Sequence, residues 1–331
     1  MHNAYLGYSL KTKGSNHTVF LIKRKRQFRG GDAASKCLIL FVIYMCFNNV
    51  LAHEMWLEPL NYEIAAGDKL LAYEKVGQDF KGNNYAYLHS SYQRLNYTIN
   101  GKTHLLSPRL GSLPAIQTNI QEEGLLILSA MTTRSKLTYK DREIFEKFLN
   151  AEGLEWVFQA HKDRNLPESG FSEVYRRFPK SLVKVGNGLG QDKPLGMPLE
   201  WVALTNPYEI KGSIKLQLLS EGKPYAGIKV NVFNKFTKEP SSSEATSKET
   251  KNKTTKSKTT KGKTTENKKI DDVVHTSYFT DEKGILNLPL KENSEYLINA
   301  VKMIEPDTET SHKYNAVWES LWASMTFQAI K

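Results

Sequence analysis

Past residue 53 the apolar and polar positions alternate mostly with a period of two, the spacing that sets one face of a strand against a core. Leu70-Leu71-Ala72-Tyr73, Tyr92 to Ile99 and Leu125 to Met131 are short apolar or β-rich runs. Turn signals separate them, including Ala66-Gly67-Asp68, Gly82-Asn83-Asn84 and Asn100-Gly101. An Asn-Gly pair accepts positive φ at both centres of a two-residue turn, so a hairpin is predicted there. From Ile214 the alternation is regular. Ile214, Leu216 and Leu218 share one face, Glu221-Gly222-Lys223-Pro224 turns the chain, and Ile228, Val230 and Val232 resume it. Leu286, Leu288 and Leu290, then Tyr296, Ile298 and Ala300, repeat the pattern. Such spacing predicts an immunoglobulin-like or transthyretin-like β-sandwich.

Between these regions the spacing lengthens to three and four. Thr138 is placed to cap a helix running through Asp141 to Gly153, with Ile144, Phe145, Phe148 and Leu149 on one side and Gly153 as its stop. A second helix is expected to hold Leu154, Val157, Phe158 and His161, and a third piece Ser172 to Val183, interrupted at Pro179. The fold class is therefore mainly β. Residues 53–211 form an N-terminal β domain with helices near 139–183, and 212–331 form a β-sandwich domain.

Charge changes the picture of the ends and of one loop. The chain has 331 residues and a formal charge of +11, which raises the question of a polyanionic partner. Residues 1–52 carry +7 and residues 237–270 carry +6, so everything else sums to −2. Residues 237–270 hold ten Lys and nine Thr with almost nothing apolar, so this insert is expected to be disordered. It interleaves no aromatic for base stacking, and no nucleic-acid partner is expected.

The leading basic segment reads as an export signal. Lys23-Arg24-Lys25-Arg26 and Lys36 precede the apolar run Cys37 to Phe47, and Val50-Leu51-Ala52 offers the small residues a signal peptidase needs. Cleavage near Ala52 would send the chain to the periplasm or outside, without cysteine. The alternative is an inner-membrane anchor formed by residues 37–52, the membrane being touched only there.

Chemical motifs are few. His53-Glu54 begins like a zinc-protease motif, but Leu57 stands where the second histidine belongs. Gly186-Asn187-Gly188-Leu189-Gly190 is followed by Pro194 and Pro198, not by a phosphate-binding helix. No nucleophile elbow or phosphate loop is present, and no enzyme is expected. Cleavage after Ala52 would give His53 two chelating nitrogens, its amine and its ring Nδ1. Glu54, Glu58 and Glu319 are candidates to complete a metal site; His89, His104, His161, His275 and His312 are expected to be structural or solvated.

Several stretches resemble a known family. They are His53-Glu54-Met55-Trp56-Leu57-Glu58-Pro59, Tyr175-Arg176-Arg177-Phe178-Pro179-Lys180, Pro194-Leu195-Gly196-Met197-Pro198-Leu199-Glu200, and above all Trp318 to Phe327. Together they are similar to uncharacterised periplasmic proteins associated with ABC-type cobalt or nickel uptake. The resemblance implies an exported, non-enzymatic protein that binds or hands over Ni²⁺ or Co²⁺ to metal-uptake machinery of the envelope. His53 is then the first ligand and Glu319 a second. Lys302 departs from the pattern, because relatives often carry histidine there. The alternative is an envelope module that recognises a protein or glycan, with no metal role.

Overall fold

A computed structural model describes residues 53–236 and 273–329. The export segment and the Lys/Thr insert lie outside the described residues. β1 (Glu54–Pro59), β2 (Glu63–Ile64), β3 (Lys69–Gln78) and β4 (Lys81–Tyr85) come first. After a 3-10 turn at His89–Ser91 follow β5 (Tyr92–Ile99), β6 (Lys102–Leu105), β7 (Ile116–Asn119), β8 (Gly124–Thr132) and β9 (Ser135–Tyr139). Helices α1 (Arg142–Glu152) and α2 (Trp156–Asp163) precede β10 (Phe171–Val185), β11 (Leu199–Ala203), β12 (Ser213–Ser220), β13 (Lys223–Pro224) and β14 (Lys229–Phe236). Next come β15 (Val273–Phe279), β16 (Ile285–Pro289), β17 (Ser294–Ile304), α3 (Thr308–Tyr314) and β18 (Trp318–Ala329). The protein is mainly β, as expected. Among the described residues no helix is long and apolar enough to cross a membrane.

One large sheet runs β15-β14-β17-β18-β10-β8-β5-β6, with β2 and β9 also paired to β10. A second holds β1-β3-β4 with β7 on β3, and a third β11-β12-β13 with β16 on β12. Each smaller sheet covers part of the large one. β18 shows the division residue by residue. Leu321, Ala323, Met325 and Phe327 pack with Trp201, Leu216 and Leu286 of the third sheet. On the opposite face Trp318 and Trp322 pack with Phe145, Phe148 and Val157 of the helices. Ser324 and Thr326 lie on that same face where β1 crosses, and their hydroxyls donate to the Met55 and Leu57 carbonyls at 2.6 Å. Each fully buried Leu, Ile or Phe in these layers stabilises the fold by about 1.5–3 kcal/mol. That outweighs the ~0.5 kcal/mol propensity differences that local sequence offers.

The Asn100-Gly101 hairpin forms as expected, with φ of +49° and +75° and Ile99 opposite Lys102. The first helix also ends where expected, at Gly153 with φ +71°. Its cap is Asp141, whose side chain accepts from the Glu143 N–H at 2.9 Å. Thr138 instead lies in β9 opposite Ser172.

The expected helix at Ser172–Val183 is a correction. This stretch lies inside the fifteen-residue strand β10. It is covered on both faces, so the two-residue alternation that marks a strand is erased and a spacing of three and four emerges by accident. Pro179 is tolerated because β9 pairs β10 only over Phe171–Tyr175 and β8 only over Leu182–Val185. Pro179 sits in the interval between those ladders, where its missing N–H breaks no bond to either. On its other side β10 runs parallel to β18, from Glu173 opposite Trp318 to Ser181 opposite Thr326. Strands from either side of residue 211 thus share one sheet.

The His53 cleft as candidate functional site

β1 crosses the large sheet beside β10, and the cleft at its beginning measures about 440 Å³. His53 lines it, with Glu74 of β3 and Arg177 of β10. Arg177 is fixed from several sides. Its Nη2 donates to the His53 carbonyl at 2.9 Å, its backbone N–H donates to Thr132 Oγ1 at 2.9 Å, and its guanidinium lies 4.4 Å from the Tyr175 ring centroid. A planar guanidinium can stack and donate at once, which an ammonium cannot.

The wall opposite is acidic but muted. Tyr92 donates its hydroxyl to Glu74 Oε2 in a short hydrogen bond. Burial raises the Glu74 carboxyl above its usual range, against the opposing effects of that hydrogen bond and of Arg177. Burial and the neighbouring Glu74 push the Tyr92 hydroxyl up in turn. Tyr92 is itself stacked on Tyr87 at 5.5 Å. The remaining wall is hydroxyl-rich, with Ser90, Ser91, Thr132, Thr133 and Ser135. Thr133 ties this wall together, its Oγ1 donating to Ser90 O at 3.0 Å and its N–H to Ser91 O at 2.9 Å. Lys136 and the half-exposed Tyr85 complete the mouth.

The candidate ligands do not converge. Glu319 is buried, and its Oε1 accepts from Arg176 Nε at 2.8 Å and Arg134 Nε at 3.1 Å. It does not line the His53 cleft. Glu58 pairs with Lys75 at 2.7 Å and Lys235 at 3.7 Å, and accepts from Trp56 Nε1 at 2.9 Å. Burial pushes its carboxyl up, but Lys235, Lys75 and Trp56 hold it below the usual range. Glu54 is buried away from the cleft. His104 stacks on Tyr97 at 4.6 Å and His275 on Phe233 at 4.6 Å. Among the described residues, no three His, Cys, Asp or Glu side chains group so as to hold a metal ion.

A further cavity of about 330 Å³ lies among Phe145, Phe158, His161 and Phe171 beneath the helices. Its polar groups are spent. His161 accepts from Trp318 Nε1 at 3.0 Å on one ring nitrogen and meets Pro167 O at 3.0 Å with the other. Arg142 is held by Glu146 and Glu168. The His53 cleft is larger and adds the exposed Lys136 and the half-exposed Tyr85 to its hydroxyl wall, so it is the better candidate. Glu74, Lys136 and Arg177 escaped sequence reasoning because they come from three strands far apart in the chain. The one local signal was Arg176-Arg177 set in an apolar stretch.

Two solved structures resemble the chain distantly. The D0-D1 domain of intimin is 11% identical over 82% of this chain and 97% of that one, with a TM-score of 0.18. Salmonella alpha-2-macroglobulin reacted with methylamine is 8% identical over 84% of this chain and 15% of that one, also at 0.18. At these scores neither likeness bears on function. No curated protein matches. Residues 50–303 match the family described as domain of unknown function DUF4198, and the chain belongs to that family.

Proposed function

We propose that this chain is an exported, non-enzymatic binding protein that uses the His53 cleft to hold a hydroxylated, glycan-like ligand of the cell envelope. The lining carries this reading. Five hydroxyl side chains, the half-exposed Tyr85 and the cations Arg177 and Lys136 surround a cleft whose acid, Glu74, is engaged by Tyr92. Sugars are recognised by such a mix of aromatic surface and hydrogen-bonding groups. The added cations favour uronic-acid residues. The basic segment and the apolar run before Ala52 support export. The test is titration of the purified protein with neutral and uronic-acid oligosaccharides. Binding that weakens in Tyr85→Ala and in Lys136→Ala supports the reading. No binding in the millimolar range, or binding indifferent to both substitutions, removes it.

A second reading, capture of Ni²⁺ or Co²⁺, is favoured by the placement of His53. Its carbonyl is pinned by Arg177 at the edge of the cleft. Processing after Ala52 would add an amine to the imidazole, and the two nitrogens suit nickel or cobalt. Glu74, the carboxylate of the cleft, is engaged by Tyr92, so water would fill the other positions. Such a site exchanges metal quickly and fits hand-over to envelope uptake machinery better than storage. Calorimetry with Ni²⁺ on the chain starting at His53, compared with His53→Ala, decides it. Equal heats from the two proteins would end this reading.

A further inference from the structure

A different cluster of polar side chains lies inside the molecule, on the side of β1 away from Met55 and Leu57. Trp56 points that way and packs with Phe80, Phe233 and Leu297. Residues two apart on a strand share a face, so Glu54 points the same way as Trp56. Burial first, and then the neighbouring charge of Glu152, raises the Glu54 carboxyl, which puts Glu54 beside the next row of the sheet, where Asn231 of β14 pairs with Asn299 of β17. Glu152, the last residue of α1, reaches the same row. Asn231 Nδ2 donates to Glu152 Oε2 at 3.0 Å, and Asn299 Nδ2 to the same oxygen at 3.4 Å.

Two oxygens in this cluster have no hydrogen-bond partner, Glu54 Oε2 and Asn299 Oδ1. Their residues are only 6% and 1% exposed. A buried polar atom without a partner costs on the order of 1–3 kcal/mol, and more when it is charged. Of the nearby cations, Arg177 gives Nη2 to the His53 carbonyl and Lys229 gives Nζ to Asn150 O, so their charges only partly offset the burial of Glu54 and Glu152. His275 spends Nε2 on Asn231 Oδ1 at 3.1 Å, behind the cluster. Arg177 Nε, toward the His53 cleft, is also buried without a partner; within the cluster itself the unpartnered atoms are the two oxygens. They sit at the C-terminal, negative end of α1. Two carboxylates match the charge of one divalent ion, and an oxygen-only set selects a hard one.

We propose that Glu54, Glu152 and Asn299 hold a hard divalent cation, Ca²⁺ in the first place, between β1, the end of α1 and β17. The third protein donor is an amide oxygen, and water completes the shell. This site is separate from the His53 cleft, which stands or falls on other measurements.

The test uses the full chain stripped with EDTA and titrated separately with Ca²⁺, Mg²⁺ and Ni²⁺, following heat and melting temperature. Ca²⁺ is expected to bind and to raise the melting temperature. Glu54→Gln and Glu152→Gln should each weaken Ca²⁺ binding by roughly tenfold or more, without lowering the metal-free melting temperature. Both changes keep the side chain's shape while removing a buried charge. His53→Ala should bind Ca²⁺ as the parent does. Asn299→Asp adds a charged donor and should tighten Ca²⁺. No Ca²⁺ binding in the millimolar range, binding unchanged in both glutamine variants, or no tightening by Asn299→Asp each overturns the proposal.

Discussion

Arg177 Nη2 donates to the backbone carbonyl of His53 at 2.9 Å, a bond between residues 124 positions apart. The charge of the same guanidinium acts on three buried acids. Burial raises the carboxyls of Glu54, Glu74 and Glu173, and the charge of Arg177 opposes that rise in each. One side chain therefore anchors the chain ahead of β1 and offsets the cost of burying carboxylates around the cleft.

Arg177→Met should destabilise the protein by roughly 3–5 kcal/mol near pH 8, the cost of leaving buried charge uncompensated. Near pH 5 the loss should be smaller, because the Glu54 and Glu173 carboxyls, raised by burial to about 8 and about 7, are then protonated with or without the arginine. Urea unfolding at the two pH values measures both. Equal losses would show that Arg177 acts through packing alone.

Glu173 predicts a pH dependence. Tyr139 donates to its Oε2 at 2.8 Å and Ser320 donates to its Oε1 in a short bond, but burial dominates and raises its pKa to about 7. Between about 4.5 and 7 the folded state holds a proton that the unfolded chain releases, so stability falls as pH rises through that window. The expected fall is roughly 3 kcal/mol from this group. Glu173→Gln should flatten that part of the profile, as read from urea midpoints at pH 5 and pH 8. An unchanged profile would point to other groups.

Lys180 is buried without exposure between Asp192, at 2.8 Å, and Glu200, at 3.2 Å. Both acids also accept backbone N–H groups, Asp192 from Ala203 and Glu200 from Leu195 and Met197. The trio thus fastens the 192–203 segment to β10. Lys180→Met strands two carboxylates and should cost roughly 3–5 kcal/mol. A melting temperature within a degree or two of the parent would contradict this.

The Asn100-Gly101 turn gives a local prediction. Gly101 has φ +75°, which a β-branched residue cannot adopt without strain. Gly101→Val should cost roughly 1–3 kcal/mol, whereas the neighbouring change Lys102→Val should leave the urea midpoint nearly unchanged.

The His53 cleft was half legible. His53 stood out because it follows a cleavage-like sequence, whereas Arg177, Glu74 and Lys136 carried no shared motif. Glu319 is the reverse case, a residue visible in the sequence whose partners were not. Its carboxylate looked free to bind a cation, yet Arg134 and Arg176 surround it, and only the packing of β10 against β18 brings Arg176 and Glu319 to 2.8 Å.

The sequence by itself determined what depends on near neighbours. The alternation at Ile214, Leu216 and Leu218, the Asn100-Gly101 turn and the Gly153 helix stop all follow from one-sided burial or from backbone φ, which a few adjacent residues encode. Tertiary structure alone decided that Ser172–Val183 is a strand, that β10 runs parallel to β18, and that Asn231 and Asn299 both donate to Glu152. Two-sided burial erases periodicity, and pairing between strands more than a hundred residues apart leaves no trace in either strand read alone.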